Sequence, residues 1–323
     1  MQIYIVRRII QAIFVLWAAF SITFAILYLL PGDPVAIMLD QRGEGQLADE
    51  ALIETVRERY GLDRPIVWQY VEMLAKAVKG DFGLSIESGQ PVFKTILTAL
   101  PETLKLAGSA LVLAILAGGI LAIWATYSQS RFVTSVLLSL PPLGVSIPGF
   151  WIGLSLMQLF SFQFLLFPAM GNDGLQSLVL PALTLALPTA AGFAQVFAHS
   201  LKDALSQPYI DTAVAKGASR IRVHLSHALR NATLPALTLI GISAGGLLGG
   251  SVVTEAVYSR TGIGRLTEIA VHARDIPMVQ GLVLLSTAIF VLINLVIDLL
   301  YPLFDPRIVE HSATSSRREV NVK

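Results

Sequence analysis

Long uncharged apolar runs dominate this sequence and restrict the folds it can adopt. Five runs lack charge and reach the roughly 20 helical residues that cross about 30 Å of hydrocarbon. They lie at 9–30, 106–130, 174–201, 231–254 and 276–297. Only 14% of all residues are charged, against about 25% in soluble domains. The sequence therefore predicts an all-α polytopic membrane protein.

A sixth apolar run, 132–172, is too long for one ordinary span and is interrupted by LPPLGVSIPGFW. It holds either one crossing with irregular chain or two crossings. Short loops rich in Lys and Arg stay cytoplasmic, and six spans place most basic residues on one face. These are Arg7, Arg8, Arg131, Lys202, Lys216, Arg220, Arg222, Arg230, Arg307, Arg317, Arg318 and Lys323, against Arg260, Arg265 and Arg274 outside. We therefore predict six transmembrane helices with both termini cytoplasmic.

Residues 31–100 form the one long polar excursion, and we predict a small helical extracytoplasmic lobe there. DEALIETVRERYG and RPIVWQYVEMLAKAVKG each read as an amphipathic helix that ends at a glycine, Gly61 and Gly80. An inter-span linker is the simpler alternative, but two such helices favour a docking surface. The remaining divisions are 1–30 (N-terminus and first span), 101–305 (transmembrane core, with loop 202–230) and 306–323 (tail).

Several kinds of chemistry have no motif in this sequence. No Gly-Lys dipeptide occurs, so the phosphate-binding loop of P-loop ATPases is excluded and any ATP is handled by a partner. The chain has no Cys and only 5 scattered His, which gives no reason to expect a metal site. A net charge of +1 without a basic stripe argues against nucleic-acid binding.

The pentapeptide GISAG, 241–245, matches the G-x-S-x-G pattern of a nucleophilic serine. A nucleophilic Ser243 needs a base within hydrogen-bond reach, and no His falls in the middle of a predicted span. Overlapping G-x-x-x-G pairs favour close helix packing instead. These pairs are Gly241, Gly245 and Gly249, and Gly246 and Gly250.

A substrate pathway has four candidate residues in the spans, because polar or small side chains there line pathways or packing interfaces. Gln195 is expected to be buried near Phe193 and Phe197, either on the pathway or in a hydrogen bond between helices. The other three candidates are Ser243, Gly245 and Gly246.

The stretch DTAVAKGASRIRVHLSHALRNATLPAL, 211–237, combines small residues, a central Gly217 and basic residues. Pro208 suits a helix start, and a narrow face of small side chains follows: Ile210, Ala213, Val214 and Gly217. A second short helix is predicted with Ile221, Leu225, Ala228 and Leu229 on one face and Arg220, His224 and His227 on the other. We predict a two-helix projection, because a plain basic loop does not explain the small residues.

This loop resembles the coupling motif of the inner-membrane permeases of binding-protein-dependent ABC importers, in the dipeptide/oligopeptide/nickel group. Further matching motifs are LLPGDP (29–34), YGLDRP (60–65), GDFGLS (80–85), SIPGFWIG (146–153), HALRNATLP (227–235) and DLLYPLFDPRI (298–308). One departure is RTGIGRL, 260–266, where this group is expected to carry Pro-Gly-hydrophobic-Gly. The local shape of that turn is therefore open.

The resemblance implies a type I ABC importer permease in the bacterial inner membrane. Its partners would be a paralogous permease in a heterodimer, two ATPase subunits and an extracytoplasmic substrate-binding protein. The chain would bind no cofactor, and the ATPase subunits would bind ATP and Mg. Residues implied to couple to the ATPase are Tyr209, Ile210, Asp211, Ala213, Lys216, Gly217, Arg220, Leu234 and Pro235.

The substrate implied by the resemblance is a di- or oligopeptide, with nickel or a metal chelate as the alternative. Two functions of other classes are an intramembrane serine hydrolase centred on Ser243 and an ion-driven secondary transporter. A membrane-embedded acid or His pair would favour either one, and the sequence has none.

Overall fold

A computed structural model describes residues 2–29, 53–55, 57 and 64–304, excluding the side chains of 2–5, 28–29, 234 and 297–304. The described residues are almost entirely helical, and their one β feature is an isolated bridge between Leu84 and Pro91. The first predicted lobe helix, 49–61, falls largely outside the described residues, as does the tail 306–323.

The described residues form eleven α-helices. They are α1 (Gln2–Leu29), α2 (Ile66–Val78), α3 (Val92–Tyr127), α4 (Arg131–Ser146), α5 (Gly149–Leu156), α6 (Gln176–Leu205), α7 (Pro208–Ala215), α8 (Arg220–Arg222), α9 (Leu229–Val257), α10 (Ile263–His272) and α11 (Ile276–Phe304). Two π-helical segments extend this order: Met157–Gln163 follows α5, and Val223–Ala228 joins α8 to α9.

Five of these helices are long and apolar enough to cross a membrane. A sixth crossing is available if α4 and the α5–π helix count as one span, which bends by 100° at its break. At this break Ile147 is extended because it precedes Pro148, and a residue before proline avoids the helical region. The six-span prediction agrees with this architecture when the bent pair within the 132–172 run is counted as one broken crossing.

The helix α3 begins earlier than the sequence predicts. The apolar run starts at position 106, but the helix starts at Val92 and passes through Pro101. Lys94, Glu102 and Lys105 end the uncharged run without ending the helix, because hydropathy detects the bilayer-compatible part of a helix and not its full length. Residues 92–100, assigned to the lobe from the sequence, are the first turns of α3.

The chain divides into two compact units, one of which contains Leu104–Arg260. In this unit small residues allow α3 and α6 to approach closely. A Cβ placed on Gly118 of α3 would lie 2.5 Å from the backbone oxygen of Ala190 in α6. The adjacent Gly119 is much less confined, since its Cβ would meet only a ring atom of Phe193, at 3.9 Å.

The same unit fixes the turn after α9 with buried polar side chains. The Tyr258 hydroxyl, 1% exposed, donates to the Gly153 carbonyl at 2.9 Å. Arg260 is also buried, and its Nη1 donates to the carbonyls of Gly171 and Ser177 at 3.2 and 3.1 Å. Arg260 thus anchors the turn next to the point where RTGIGRL departs from the expected Pro-Gly-hydrophobic-Gly pattern.

The second unit contains Ile9–Thr103 and Thr261–Val291. Helix α2 starts after Pro65 and is followed by Gly80 at a φ of +77°, as the sequence predicts. Asp275, 1% exposed, caps α11 by accepting from the Met278 amide at 3.1 Å. Its other oxygen accepts from the Ser85 hydroxyl, so the turn before α3 is joined to the start of α11.

Candidate functional site

Helix α7 and Gly217 form a compact turn in the loop that the sequence singles out. Pro208 occupies the first turn of α7, and Gly217 ends it with a φ of +81°. The Gly217 amide bonds to the Val214 carbonyl and the Ala218 amide to the Ala213 carbonyl. This pair of bonds is a Schellman motif, which needs a left-handed residue that glycine provides without strain.

Space around Gly217 is open, since a Cβ there would meet no heavy atom within 4 Å. Gly217 itself is exposed, and so are most residues around it, including Tyr209, Asp211, Val214 and Lys216. A side chain at this position is therefore limited by backbone strain and by what docks from outside, and not by packing within the chain.

Part of the small-residue face of α7 packs against the following helix and is not available to a partner, which the sequence did not predict. Ile210 and Ala213 are buried and pack with Val223 of the following helix. Val214, on the same predicted face, is 57% exposed. The surface free for a partner is therefore the Val214 and Gly217 end of the turn.

The predicted faces of the second helix are only partly correct. Ala228 is buried and Leu229 packs against a buried cluster, as expected, but three other residues lie on the wrong face. Ile221 and Leu225, expected to be on an apolar face, are 56% and 46% exposed. His224, expected on the solvated face, is 4% exposed. The reason is the π-helical segment Val223–Ala228, whose wider turn shifts side chains out of the 3.6-residue period used in the prediction.

The second helix is also not a separate short element. The positions that join α8, the π segment and α9 all have helical backbone angles. Pro235 lies inside α9 and its side chain is exposed. Leu234 lies in α9 as well, with its side chain outside the described set, so both of these residues, implied to couple to the ATPase, lie beyond the predicted loop 202–230.

Arg220 and His224 contact the end of α3. The Arg220 guanidinium lies 4.8 Å from the Tyr127 ring centroid and donates to the Tyr127 carbonyl. The His224 ring meets the same aromatic ring edge-on at 5.3 Å, and its Nε2 lies 3.1 Å from Thr126 Oγ1. Arg220 is therefore not a purely solvated side chain, contrary to the prediction.

Burial lowers the pKa of His224, and the nearby positive charge of Arg220 lowers it further. The Thr126 hydroxyl lies 2.9 Å from the Ala122 carbonyl and donates its proton within its own helix. We therefore assign Nε2–H of His224 as the donor to Thr126. A neutral imidazole is the form that this site favours.

Sequence reasoning missed Tyr127 and Thr126, which end an ordinary apolar span. Tyr127 is separated from Arg220 by 93 positions, and no local pattern links them. An aromatic residue at the end of a span and an arginine in a basic loop are each common. Only the fold brings them together.

A cavity of about 550 Å³ lies among α4, α5, α6 and α9. Ser243 and Gly246 are among its lining residues, whereas the other two pathway candidates, Gln195 and Gly245, are not. Gln195 is exposed and not buried as expected. The lining consists of Val145, Gly149, Phe150, Thr184, Leu185, Pro188, Thr189, Gly192, Phe193, Leu239, Ser243, Gly246, Leu247, Gly250, Val253 and Thr254.

The cavity lining contains no ionisable side chain, so it offers Ser243 no general base. Its three threonine hydroxyls donate to carbonyls of their own helices. The Ser243 hydroxyl makes no hydrogen bond within the described residues and is available to a passing molecule. This arrangement can accommodate a small polar solute without holding it by charge.

Close packing at the α9 glycines is also limited. A Cβ on Gly246 or Gly249 would meet no heavy atom within 4 Å, whereas one on Gly250 would lie 3.1 Å from Leu185 Cδ2. The prediction of close packing is therefore wrong for Gly246 and Gly249 within this chain. Gly246 lines the cavity instead.

Comparisons with known proteins cover nearly the whole chain. Residues 110–310 match the family model for the binding-protein-dependent transport system inner membrane component. Residues 1–107 match the N-terminal model of that membrane component.

Two relatives and one solved structure illustrate the similarity. The chain is 38% identical over 305 residues to the glutathione transport system permease protein GsiC of Escherichia coli (strain K12), covering 94% of this chain and 98% of that protein. The same values hold for GsiC of Shigella flexneri serotype 5b (strain 8401). An inward-facing structure of the MetNI methionine ABC transporter matches with a TM-score of 0.52 and 14% identity, covering 65% of this chain and 95% of that one. This last similarity concerns the fold alone.

Proposed function

The chain belongs to the family of binding-protein-dependent transport system inner membrane components, and from this premise we propose that it forms half of a pore for small peptides. Membership confirms the resemblance found in the sequence. The chain is thus a multi-pass permease subunit of an ABC importer and not an enzyme. The family works with ATPase and substrate-binding subunits. We assign ATP and Mg to the ATPase subunits, and the other half of the pore to a paralogous permease.

The proposed substrate is a short peptide, in the size range of a tripeptide such as glutathione. Its main support is the 38% identity to glutathione permeases across 94% of the chain. The neutral cavity with a free Ser243 hydroxyl is compatible with a zwitterionic solute that must pass without being trapped. Nickel or a metal chelate is the competing cargo.

Uptake by the complete importer in proteoliposomes distinguishes these cargoes. We expect accumulation of labelled glutathione or a dipeptide that depends on ATP and on the binding protein. Accumulation of Ni²⁺ without peptide uptake would contradict the peptide assignment.

The proposed pathway includes the cavity at Ser243. A Ser243→Trp substitution fills part of about 550 Å³ with an indole, and we expect it to reduce uptake strongly. Ser243→Ala should keep uptake near wild type, because no base is present to make this serine a nucleophile. Normal uptake with Ser243→Trp would rule the cavity out as a pathway, and loss of a hydrolytic activity with Ser243→Ala would support the hydrolase alternative.

The 208–228 segment is the proposed coupling element, which docks in a groove of an ATPase subunit. The observation that carries this assignment is the exposed, open turn at Gly217, which projects Tyr209, Asp211 and Lys216 without covering them. Movement of the ATPase pair on binding ATP would displace this segment, and α9, continuous with it, would move too.

Gly217→Arg tests the coupling assignment. The arginine adds bulk at the docking surface and strain at a positive φ, of about 1 kcal/mol or more. We expect the variant to insert normally but to lose ATPase subunits on pull-down of the detergent-solubilised complex, or to lose stimulation of ATP hydrolysis by the binding protein.

Gly174→Arg is the matched control for this experiment. Gly174 also has a positive φ, +71°, and open space around its Cβ position, but it lies in the turn before α6. It should retain the ATPase subunits. Wild-type retention and stimulation with Gly217→Arg would refute the coupling role.

The proposed orientation places both termini and the 208–228 segment in the cytoplasm, and residues 31–91 outside for contact with the binding protein. The basic-residue asymmetry supports it. Because the chain lacks Cys, single cysteines can be labelled cleanly. We expect Gln46→Cys to react only from outside and Ser219→Cys only from the cytoplasm, and the reverse pattern would overturn the orientation.

A further inference from the structure

The end of α3 is a junction at which three elements meet. The Thr134 hydroxyl of α4 donates to the Ala125 carbonyl at 3.1 Å. Arg220 of α8 donates to the Tyr127 carbonyl two residues further on. The carbonyls at the end of a helix lack partners of their own and carry partial negative charge. The Arg220 side chain of the 208–228 segment thus supplies a donor for a carbonyl at the end of α3. Helix α4 is hydrogen-bonded to the same end.

The contact between Arg220 and this junction leaves little freedom of movement. A planar guanidinium that both covers an aromatic ring and donates to the carbonyl of the same residue is held in position and in orientation. His224, four residues along the helix, adds an edge-on ring contact and a hydrogen bond one residue earlier in α3. Two successive turns of the segment therefore contact the same end of α3 through side chains.

We propose that Arg220 and His224 are positioning residues that transmit displacement of the 208–228 segment to α3 and α4 through Tyr127 and Thr126. The inference rests on the proposed coupling role of this segment. Displacement reaches α9 through the continuous helix, and the apolar packing of α3 against α6 and α9 passes on part of it. The Arg220 and His224 contacts add a polar link from the segment itself to the end of α3. Without that link, the end of α3 follows the segment less closely.

If this link passes on part of the motion, its loss should reduce the substrate moved per ATP without releasing the ATPase subunits. Arg220→Ala should leave ATPase subunits bound, because the exposed turn at Gly217 is unchanged. Hydrolysis stimulated by the binding protein should stay within about twofold of wild type, whereas substrate moved per ATP should fall by about tenfold, as loss of a charged hydrogen bond and a cation–π contact implies. Tyr127→Ala should give the same defect.

Two matched controls separate this effect from general damage. Arg131→Ala removes an exposed arginine at the start of α4, near the same junction but outside the 208–228 segment, and should behave as wild type. Tyr127→Phe keeps the ring and the backbone carbonyl that Arg220 uses, and it too should be silent. In a double-mutant cycle, the effects of Arg220→Ala and Tyr127→Ala should be less than additive, because both remove the contact between the guanidinium and the ring, while the carbonyl hydrogen bond and the His224 ring contact are each lost in only one of them.

The experiment uses the complete importer in proteoliposomes, with ATPase retention, stimulated hydrolysis, uptake and thermal unfolding measured on each variant. Unchanged substrate per ATP in Arg220→Ala would overturn the inference. So would loss of ATPase subunits or a parallel loss of thermal stability, since these indicate docking or a merely structural role. The inference and the proposed function can fail separately, because Gly217→Arg is judged by ATPase retention and Arg220→Ala by transport at normal retention.

Discussion

The crossing of α3 and α6 at Gly118 and the turn at Gly217 use glycine for opposite purposes. At Gly118 a Cβ would lie 2.5 Å from a backbone oxygen, while at Gly217 it would meet nothing within 4 Å. The first glycine lets two helices pack without a gap. The second leaves a surface uncovered and relies only on its backbone angle. The protein is therefore packed tightly where its helices must keep their spacing and is open where a partner must reach it.

Three substitutions and one change of pH test this contrast, and Gly118→Ala should lower the stability most. The clashing atom belongs to the backbone of Ala190, so the helices must separate, at a cost of about 1–3 kcal/mol. Thermal unfolding of the purified complex should show the loss. Gly119→Ala, where the nearest atom lies at 3.9 Å, is the control, and equal stability of the two variants would break the comparison.

Tyr258→Phe should come second. Removing the hydroxyl takes one of two donors from the buried Gly153 carbonyl, which keeps the Met157 amide, so the cost is that of one ordinary hydrogen bond, about 0.5–1.5 kcal/mol. The ring still fills its place, so the loss should be smaller than a backbone clash produces. Thermal unfolding is again the measurement, with Tyr209→Phe, on the exposed turn, as the control. An unchanged unfolding temperature for Tyr258→Phe would show that this hydrogen bond adds no net stability.

Gly217→Ala should cost stability by no more than about 1 kcal/mol, from strain at a positive φ. Its methyl group meets no neighbour, so the loss is confined to the turn. We expect the global unfolding temperature to change little while binding-protein-stimulated ATP hydrolysis falls. A stability loss as large as that of Gly118→Ala would show that the turn belongs to the packed core after all.

The smallest effect should come from pH acting on His224. Its pKa lies below the ordinary histidine value of 6.5 because burial and then Arg220 disfavour the charged form. A lowered pKa means that the unfolded chain binds the proton more readily, so the contribution to stability is complete above about 6.5 and is lost as pH falls through the folded value. His224→Gln should remove this part of the pH dependence, and an identical pH profile in wild type and variant would contradict it.

Hydrophobic length was sufficient to predict where most spans lie, because the bilayer imposes its requirement on each segment separately. The 174–201 run and α6 (Gln176–Leu205) agree closely. The start of α3 at Val92 was missed since Lys94, Glu102 and Lys105 end a run of hydropathy and not a helix. The turn at Gly217 was predicted because its cause, a left-handed glycine, is local.

The site could be predicted only in part, for two physical reasons. A helical period of 3.6 was assumed for 220–230, and the π segment there reversed the burial of His224 and Leu225. The contact of Arg220 with Tyr127 joins positions that no periodicity relates. Side chains whose partners lie in distant segments become visible only when the helices are packed.

The π segment Val223–Ala228 has a consequence for how relatives of this chain differ. A π-helical turn takes about one residue more than an α-helical turn, so the helix on either side keeps nearly the same angular position when one residue is removed from this segment. The same deletion in the regular part of α9 would turn everything before it by about 100° around the helix axis. Two permeases that differ in length by one residue within this segment can therefore still present the docking surface in the same direction.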